Sequence, residues 1–222
     1  MVARGGQQHI PRPPGTCAGA PPPWVVLSSA DRRVTLADVR ARLALARPPK
    51  QPEFDIAGSR AAAVLVALYE DEGEAHVVLT KRPDSMPSHQ GEIAFPGGKR
   101  DPSDPTLVAA ALREAHEEVG LDPGAVEIVA ELDTIATVAS AFAITPFVGL
   151  LAAPPVLVAH PVEVVDAFGV PISELLHPET YREEMWDLWG EYRSMTFFEL
   201  PGETVWGATA RILTRLLELV AY

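Results

Sequence analysis

Apolar residues change their spacing along this chain, and each change marks an element. Leu36, Val39, Leu43 and Leu45 follow a helical period, with Thr35 and Asp38 as cap and early acid, before Pro48, Pro49 and Pro52 break the pattern. Residues 61–69 form a short apolar run. The turn-like Asp71-Glu72-Gly73 follows, then a second run at 75–80, so the pair predicts a hairpin. Phe95-Pro96 closes a further strand. Leu107, Ala111, Ala115 and Val119 recur at steps of four, which gives one helix a buried side. Strands are expected at 126–130, 134–138 and 144–151, with 156–158 extending or following the last. Residues 171–176 suggest a short helix. A long amphipathic helix is expected over 203–220, with Val205, Thr209, Ile212, Leu213, Leu216 and Val220 inward. Strands flanked by helices predict an α/β sandwich with a mixed sheet. Residues 1–24, rich in Pro and Gly, predict a flexible leader ahead of one domain at 25–222.

The helix with steps of four carries unusual chemistry. Glu114, Glu117 and Glu118 are related as i, i+3 and i+4 and so share a face. Like charges there repel, so the arrangement gains nothing unless a cation sits among them; a hard divalent ion with oxygen ligands suits it. Arg113, four residues before Glu117, can brace it. Asp104 and Pro105 suggest an N-cap and first helical residue, and Gly120 suits a left-handed C-terminal position. Gly97 and Gly98 allow close backbone approach and offer carbonyl ligands. The plainer alternative is a solvated acidic face with a simple cap.

The stretch resembles the Nudix box. Gly98 is followed by five residues, Asp104, eight residues, then Arg113-Glu114-Ala115-His116-Glu117-Glu118-Val119-Gly120-Leu121. Asp in place of the first Glu, and a spacer one residue longer, resemble the coenzyme A pyrophosphatase branch. Leu79-Thr80-Lys81-Arg82, His89, Gly91 and Phe95-Pro96-Gly97-Gly98 resemble that branch's upstream motif, with Pro83 and Pro87 where Ser or Ala and a second Arg are usual. Residues 160–164 and 205–210 are similar to it as well.

The resemblance implies an α/β/α sandwich and a metal-dependent pyrophosphohydrolase. Mg²⁺ or Mn²⁺ would be held by Glu117 and Glu118, with Glu114 as ligand or base, Arg113 orienting them and the Gly98 carbonyl as a further ligand. Arg82, Lys99 and His89 are the expected phosphate contacts, while Gly97, Gly120 and Asp104 are structural; Asp104 could also hold an outer-sphere water. Glu163 could be a late acid reaching the site. Trp186, Trp189, Tyr192 and Phe197 could stack a base, or form a satellite core under the last helix. The expected substrate is coenzyme A or an acyl derivative. ADP-ribose, another nucleoside diphosphate derivative, or a domain that binds a nucleotide without cleaving it are the alternatives.

Composition narrows the partners. Lys and Arg number 18 against 30 Asp and Glu, a net charge of −12, which argues against long nucleic acid and leaves a small nucleotide as partner. No apolar run has membrane-spanning length. The single cysteine, Cys17, and the lack of a signal-peptide pattern lead to an expected cytoplasmic setting. A homodimer is compatible with all of this.

Overall fold

The computed structural model describes residues 3–8, 10–50, 58–85, 90–137, 141–188 and 190–221. Strand β1 (Cys17–Ala18) precedes helix α1 (Leu36–Leu43). Thr35 and Asp38 close a reciprocal capping box at its start. Leu45, expected on its apolar side, lies beyond the helix and is 86% exposed.

The expected hairpin is β2 (Arg60–Asp71) against β3 (Glu74–Lys81), turning at Glu72 and Gly73, both at positive φ. Short strands β4 (Ile93–Ala94) and β5 (Gly97–Lys99) pair with β3 and β2, respectively. Helix α2 (Leu107–Val119) then leads into β6 (Val126–Glu131), β7 (Ile135–Thr137) and β8 (Phe142–Leu151). β8 runs parallel to β2, Arg60 opposite Phe142, while the other pairings are antiparallel; the sheet is therefore mixed. Its central order is β4-β3-β2-β8-β6, and β9 (Asp166–Pro171) lies beside β3.

β2 is buried on both faces. Ala63, Leu65 and Ala67 pack with Ala110, Ala111, Ala115 and Val119 of α2. Val66 and Leu68 belong to the opposite core, with Val39 of α1. That core also takes Leu175 from the short helix α3 (Ile172–Leu175), expected at 171–176, and Leu213, Leu216 and Leu217 from α4 (Gly207–Val220). An α/β/α sandwich results, as expected.

Four details differ from the sequence expectation. The last helix begins at Gly207, because residues 203–205 pair with a neighbouring strand instead. Residues 156–158 are not a strand. A second sheet, missed in the sequence, joins β10 (Tyr181–Leu188), β11 (Glu191–Leu200), β12 (Glu203–Val205) and β1. The fourth concerns the leader expected at 1–24, whose described residues have specific partners. Cys17 and Ala18 pair with β10, Arg4 donates to Glu174 and Thr180, and Trp24 is 1% exposed against Tyr181 and Phe198. One large aromatic and one arginine give a Pro-rich segment anchors that its average composition hides. Residue 138, at the end of an expected strand, lies outside the described residues. Among the described residues, no helix is long and apolar enough to cross a membrane.

Candidate active site

Helix α2 begins at Thr106, not Asp104. The Thr106 hydroxyl accepts from the Ala109 N–H, so this residue is the N-cap and Asp104 is not. Asp104 is needed elsewhere. It is 5% exposed and accepts two bonds of 3.0 Å from Nε and Nη2 of Arg113, plus one from the Asp101 N–H. The forked guanidinium matches a carboxylate in this bidentate way. Arg113 also reaches Glu114 at 3.0 Å, Glu117 at 2.8 Å and the Lys99 carbonyl at 3.4 Å. One arginine therefore joins the loop, β5 and two of the three acids. Asp104 is held below its ordinary carboxyl range first by the Arg113 hydrogen bonds.

At the other end Gly120 has φ 73°, and its N–H closes on the carbonyls of Ala115 and His116. The carbonyls of Glu118 and Val119 are satisfied from outside the helix. Val158 N–H donates to Val119 O and His160 N–H to Glu118 O, which fastens the 152–165 loop to the helix end. Glu163 rides on that loop.

The three glutamates have different surroundings. The Glu117 side chain is 55% exposed and turned toward Arg113. Glu114 is largely buried; burial raises its carboxyl, with Glu117 and Glu163 raising it further and Arg113 opposing. Glu118 is 4% exposed and pushed up to about 7, first by burial, then by the charges of Glu114 and Glu163; the Gly97 N–H at 3.0 Å and the charge of Arg82 oppose this. Glu163 and Arg82 thus both act on the cluster. The Arg82 Nε is buried and makes no hydrogen bond among the described residues.

β5 fits against these acids through the lack of side chains. A Cβ on Gly98 would lie 2.6–2.7 Å from the Glu114 carboxylate. Gly98 opposes Ala63, on the sheet face that α2 covers, whereas Lys99 opposes Ala62 and points to the other face. Lys99 therefore stands one residue from the acids but across the strand from them. His89 lies outside the described residues. Among the described residues, no three acid, imidazole or thiol groups already converge as a ligand set. The expected aromatic group divides: Phe197 and Trp186 are buried, Tyr192 is 60% exposed, and Trp189 lies outside the described residues.

The family model for the NUDIX domain matches residues 59–188, well over half the chain and all of the site above. This chain belongs to the Nudix family. It is 38% identical over 195 residues to the uncharacterised Nudix hydrolase NudL of Enterobacter sp., covering 82% of this chain and 93% of that one. The uncharacterised NudL of Photorhabdus laumondii is 35% identical, with 84% and 98% covered. The chloroplastic Nudix hydrolase 22 of Arabidopsis thaliana is 38% identical over 168 residues, covering 72% of this chain and 55% of that one. This Nudix protein is accordingly a pyrophosphohydrolase, of a family that uses divalent metal ions and takes small nucleotide substrates.

The raised Glu118 carboxyl has a measurable consequence in metal-free buffer. Between 4.5, its ordinary value, and about 7, the folded Nudix chain keeps a proton that the unfolded chain has lost. Stability from this group is therefore present at low pH and falls as pH rises through that window. Each pKa unit is worth about 1.4 kcal/mol, so the full loss reaches about 3 kcal/mol. Glu118→Gln keeps an acceptor for the Gly97 N–H but cannot ionise. Its melting temperature should exceed the wild type's by several degrees at pH 8 and match it near pH 4.5. An identical difference at both pH values would show that ionisation of Glu118 does not govern the effect.

Proposed function

We propose that this Nudix hydrolase cleaves the pyrophosphate bond of a nucleoside diphosphate derivative, with coenzyme A or acyl-coenzyme A as substrate and Mg²⁺ or Mn²⁺ as metal. The observation carrying the reading is the acidic cluster of Glu114 and Glu118, with Glu163 acting on both, set against the side-chain-free backbone of Gly97 and Gly98. Carboxylates that raise one another's pKa in a buried setting fit a hard cation, which would relieve both the burial cost and the repulsion. Glu117 and Glu118 would hold the ion with the Gly98 carbonyl, and Glu114 would be a ligand or the proton acceptor. The bound ion would supply charge neutralisation on the diphosphate and a more acidic water.

The chain's own residues do the rest. Arg113 keeps Glu114 and Glu117 in place through its anchor on Asp104. Arg82, with a buried Nε available, would meet a substrate phosphate beside Glu118. The coenzyme A preference is supported by Leu79-Thr80-Lys81-Arg82, by Phe95-Pro96-Gly97-Gly98 and by the Asp104 spacing in the sequence, while Pro83 and Pro87 depart from that branch.

A substrate panel with product mass analysis tests the reading. With Mg²⁺ or Mn²⁺, coenzyme A should give 3′,5′-ADP and 4′-phosphopantetheine, at a rate above that for ADP-ribose. Inert coenzyme A beside rapidly hydrolysed ADP-ribose would overturn the substrate. Tight nucleotide binding with no product under any metal would overturn the hydrolase.

A further inference from the structure

Residues 3–8 run beside the turn that joins β11 to β12. The Gly5 N–H donates to the Leu200 carbonyl at 2.8 Å, the Gly202 N–H to the Ala3 carbonyl at 2.9 Å and the Gly6 N–H to the Thr204 hydroxyl at 2.9 Å. This track brings Gln8 to a junction of three segments. Its Oε1 accepts from the Thr204 N–H at 3.3 Å, and its Nε2 donates to the Glu203 carboxylate at 2.9 Å and to the Gly91 carbonyl at 3.3 Å. An amide carries an acceptor and two donors in one group, and Gln8 uses all of them.

Both branches of that junction lead to Arg82. The other oxygen of Glu203 accepts from Lys81 Nζ at 2.5 Å, so one carboxylate ties Gln8 to the residue before Arg82. Gly91, at φ 62°, precedes Glu92, whose carbonyl accepts from the Arg82 N–H at 3.0 Å. Gln8 thus reaches the Arg82 backbone by two routes, one through Glu203 and Lys81, the other through Gly91 and Glu92. The same backbone borders the acids. The Val165 N–H, two residues beyond Glu163, donates to the Lys81 carbonyl at 2.8 Å. β4 pairs with Lys81 and leads within three residues to Gly97, whose N–H holds Glu118. Glu203 matches the charge of Lys81, whereas the Arg82 Nε is buried without a hydrogen bond among the described residues.

We propose that Gln8 is a positioning residue for Arg82, fixing the backbone from which the guanidinium reaches the diphosphate of the substrate. The inference rests on the phosphate role given to Arg82 above and adds the segment that sustains it. An arginine loses much side-chain freedom when it is held against a ligand. A backbone already fixed on both sides lowers that cost before the ligand arrives, which is how preorganisation raises affinity. Glu203 has a second part in this: by matching Lys81 it leaves Arg82, of these two adjacent cations, for an anion.

A double-mutant cycle on the full chain tests this, read by calorimetry with α,β-methylene-ADP in Mg²⁺ buffer. The methylene bridge prevents hydrolysis, and the ligand carries a diphosphate analogue without the features that separate coenzyme A from ADP-ribose. Gln8→Ala should weaken binding about 3- to 10-fold, the scale of one or two hydrogen bonds. Gln8→Glu fills the same space and keeps an acceptor for Thr204, but it has no donor and faces the Glu203 carboxylate, so it should weaken binding at least as much. Arg82→Met keeps the stem and removes the charge. In that background both Gln8 changes should have less than about a twofold effect. Gln8 variants that bind like the wild type, beside a weakened Arg82→Met, overturn the positioning and leave the phosphate role of Arg82 standing. Gln8 losses that persist in full without Arg82 also overturn it, because Gln8 would then act on the fold or on another group. An Arg82→Met that binds like the wild type removes the phosphate role, and the positioning with it.

Discussion

Glu118→Gln and Glu117→Gln should each lower turnover by about 10²–10³-fold, the scale on which losing one charge-stabilising group in an active site is felt. The two losses should arise differently. Glu118 is 4% exposed among other acids, so the amide removes a buried charge from the proposed cation site. Glu117 is exposed and pinned to Arg113, so its amide also loosens the brace. Manganese titration followed by electron paramagnetic resonance, beside steady-state turnover, separates weaker metal binding from impaired chemistry. The Glu118 variant should be more stable than the wild type above neutral pH while being nearly inactive. Such an inverse relation is expected where a site keeps charges that the fold alone disfavours. Unchanged turnover in both variants would remove the assigned roles.

The second large effect concerns adjacent glycines with opposite outcomes. Gly97 has φ +153°, and a Cβ there would meet the Ala63 carbonyl oxygen at 2.4 Å and the Val64 Cα at 2.6 Å. Both are backbone atoms of the central strand and cannot step aside. Gly97→Ala should cost about 2–5 kcal/mol, from an unfavourable backbone conformation added to overpacking. At Gly98 the Cβ would meet only the end of the Glu114 side chain, which can rotate. Gly98→Ala should fold, with a melting temperature within a few degrees of the wild type. It should lose about tenfold or more in turnover, because it displaces a carboxylate from the acidic cluster. Thermal melts and turnover of the two variants provide the check; a reversed pattern would mean that Gly98, not Gly97, is the position the fold requires.

The parts of this arrangement legible in the sequence were those set by local rules. The spacing of Leu107, Ala111, Ala115 and Val119 gave the helix and its buried side, and Gly120 gave its end. The run 61–69 and the turn after it gave the central hairpin. What escaped depends on partners distant in the chain. Asp104 suits an N-cap by composition, but Arg113 claims its carboxylate and the cap passes to Thr106. β9 contains Gly169 and Pro171 and pairs only with β3 among the described strands, so its sequence lacks the signal of a central strand. β10 alternates poorly because Arg182 and Glu184 form polar contacts along it, Arg182 also reaching Glu199 across the hairpin. Glu163 and Arg82 were named only through the resemblance, because their approach to Glu118 follows from loop placement that no local pattern encodes. The side to which Lys99 points needed the strand register.

The parallel pairing of β2 with β8 also bears on synthesis. Arg60 meets Phe142, and the loop carrying Glu163 comes after β8, so the acidic cluster draws on segments that leave the ribosome far apart in time. A nascent chain that has exposed only the glycines and the acidic helix has neither the central pairing nor the loop fastened to the helix end. Contacts of such wide sequence separation form late and set the pace of folding. A divalent ion bound at the proposed site would then be a ligand of the finished fold, stabilising it by mass action.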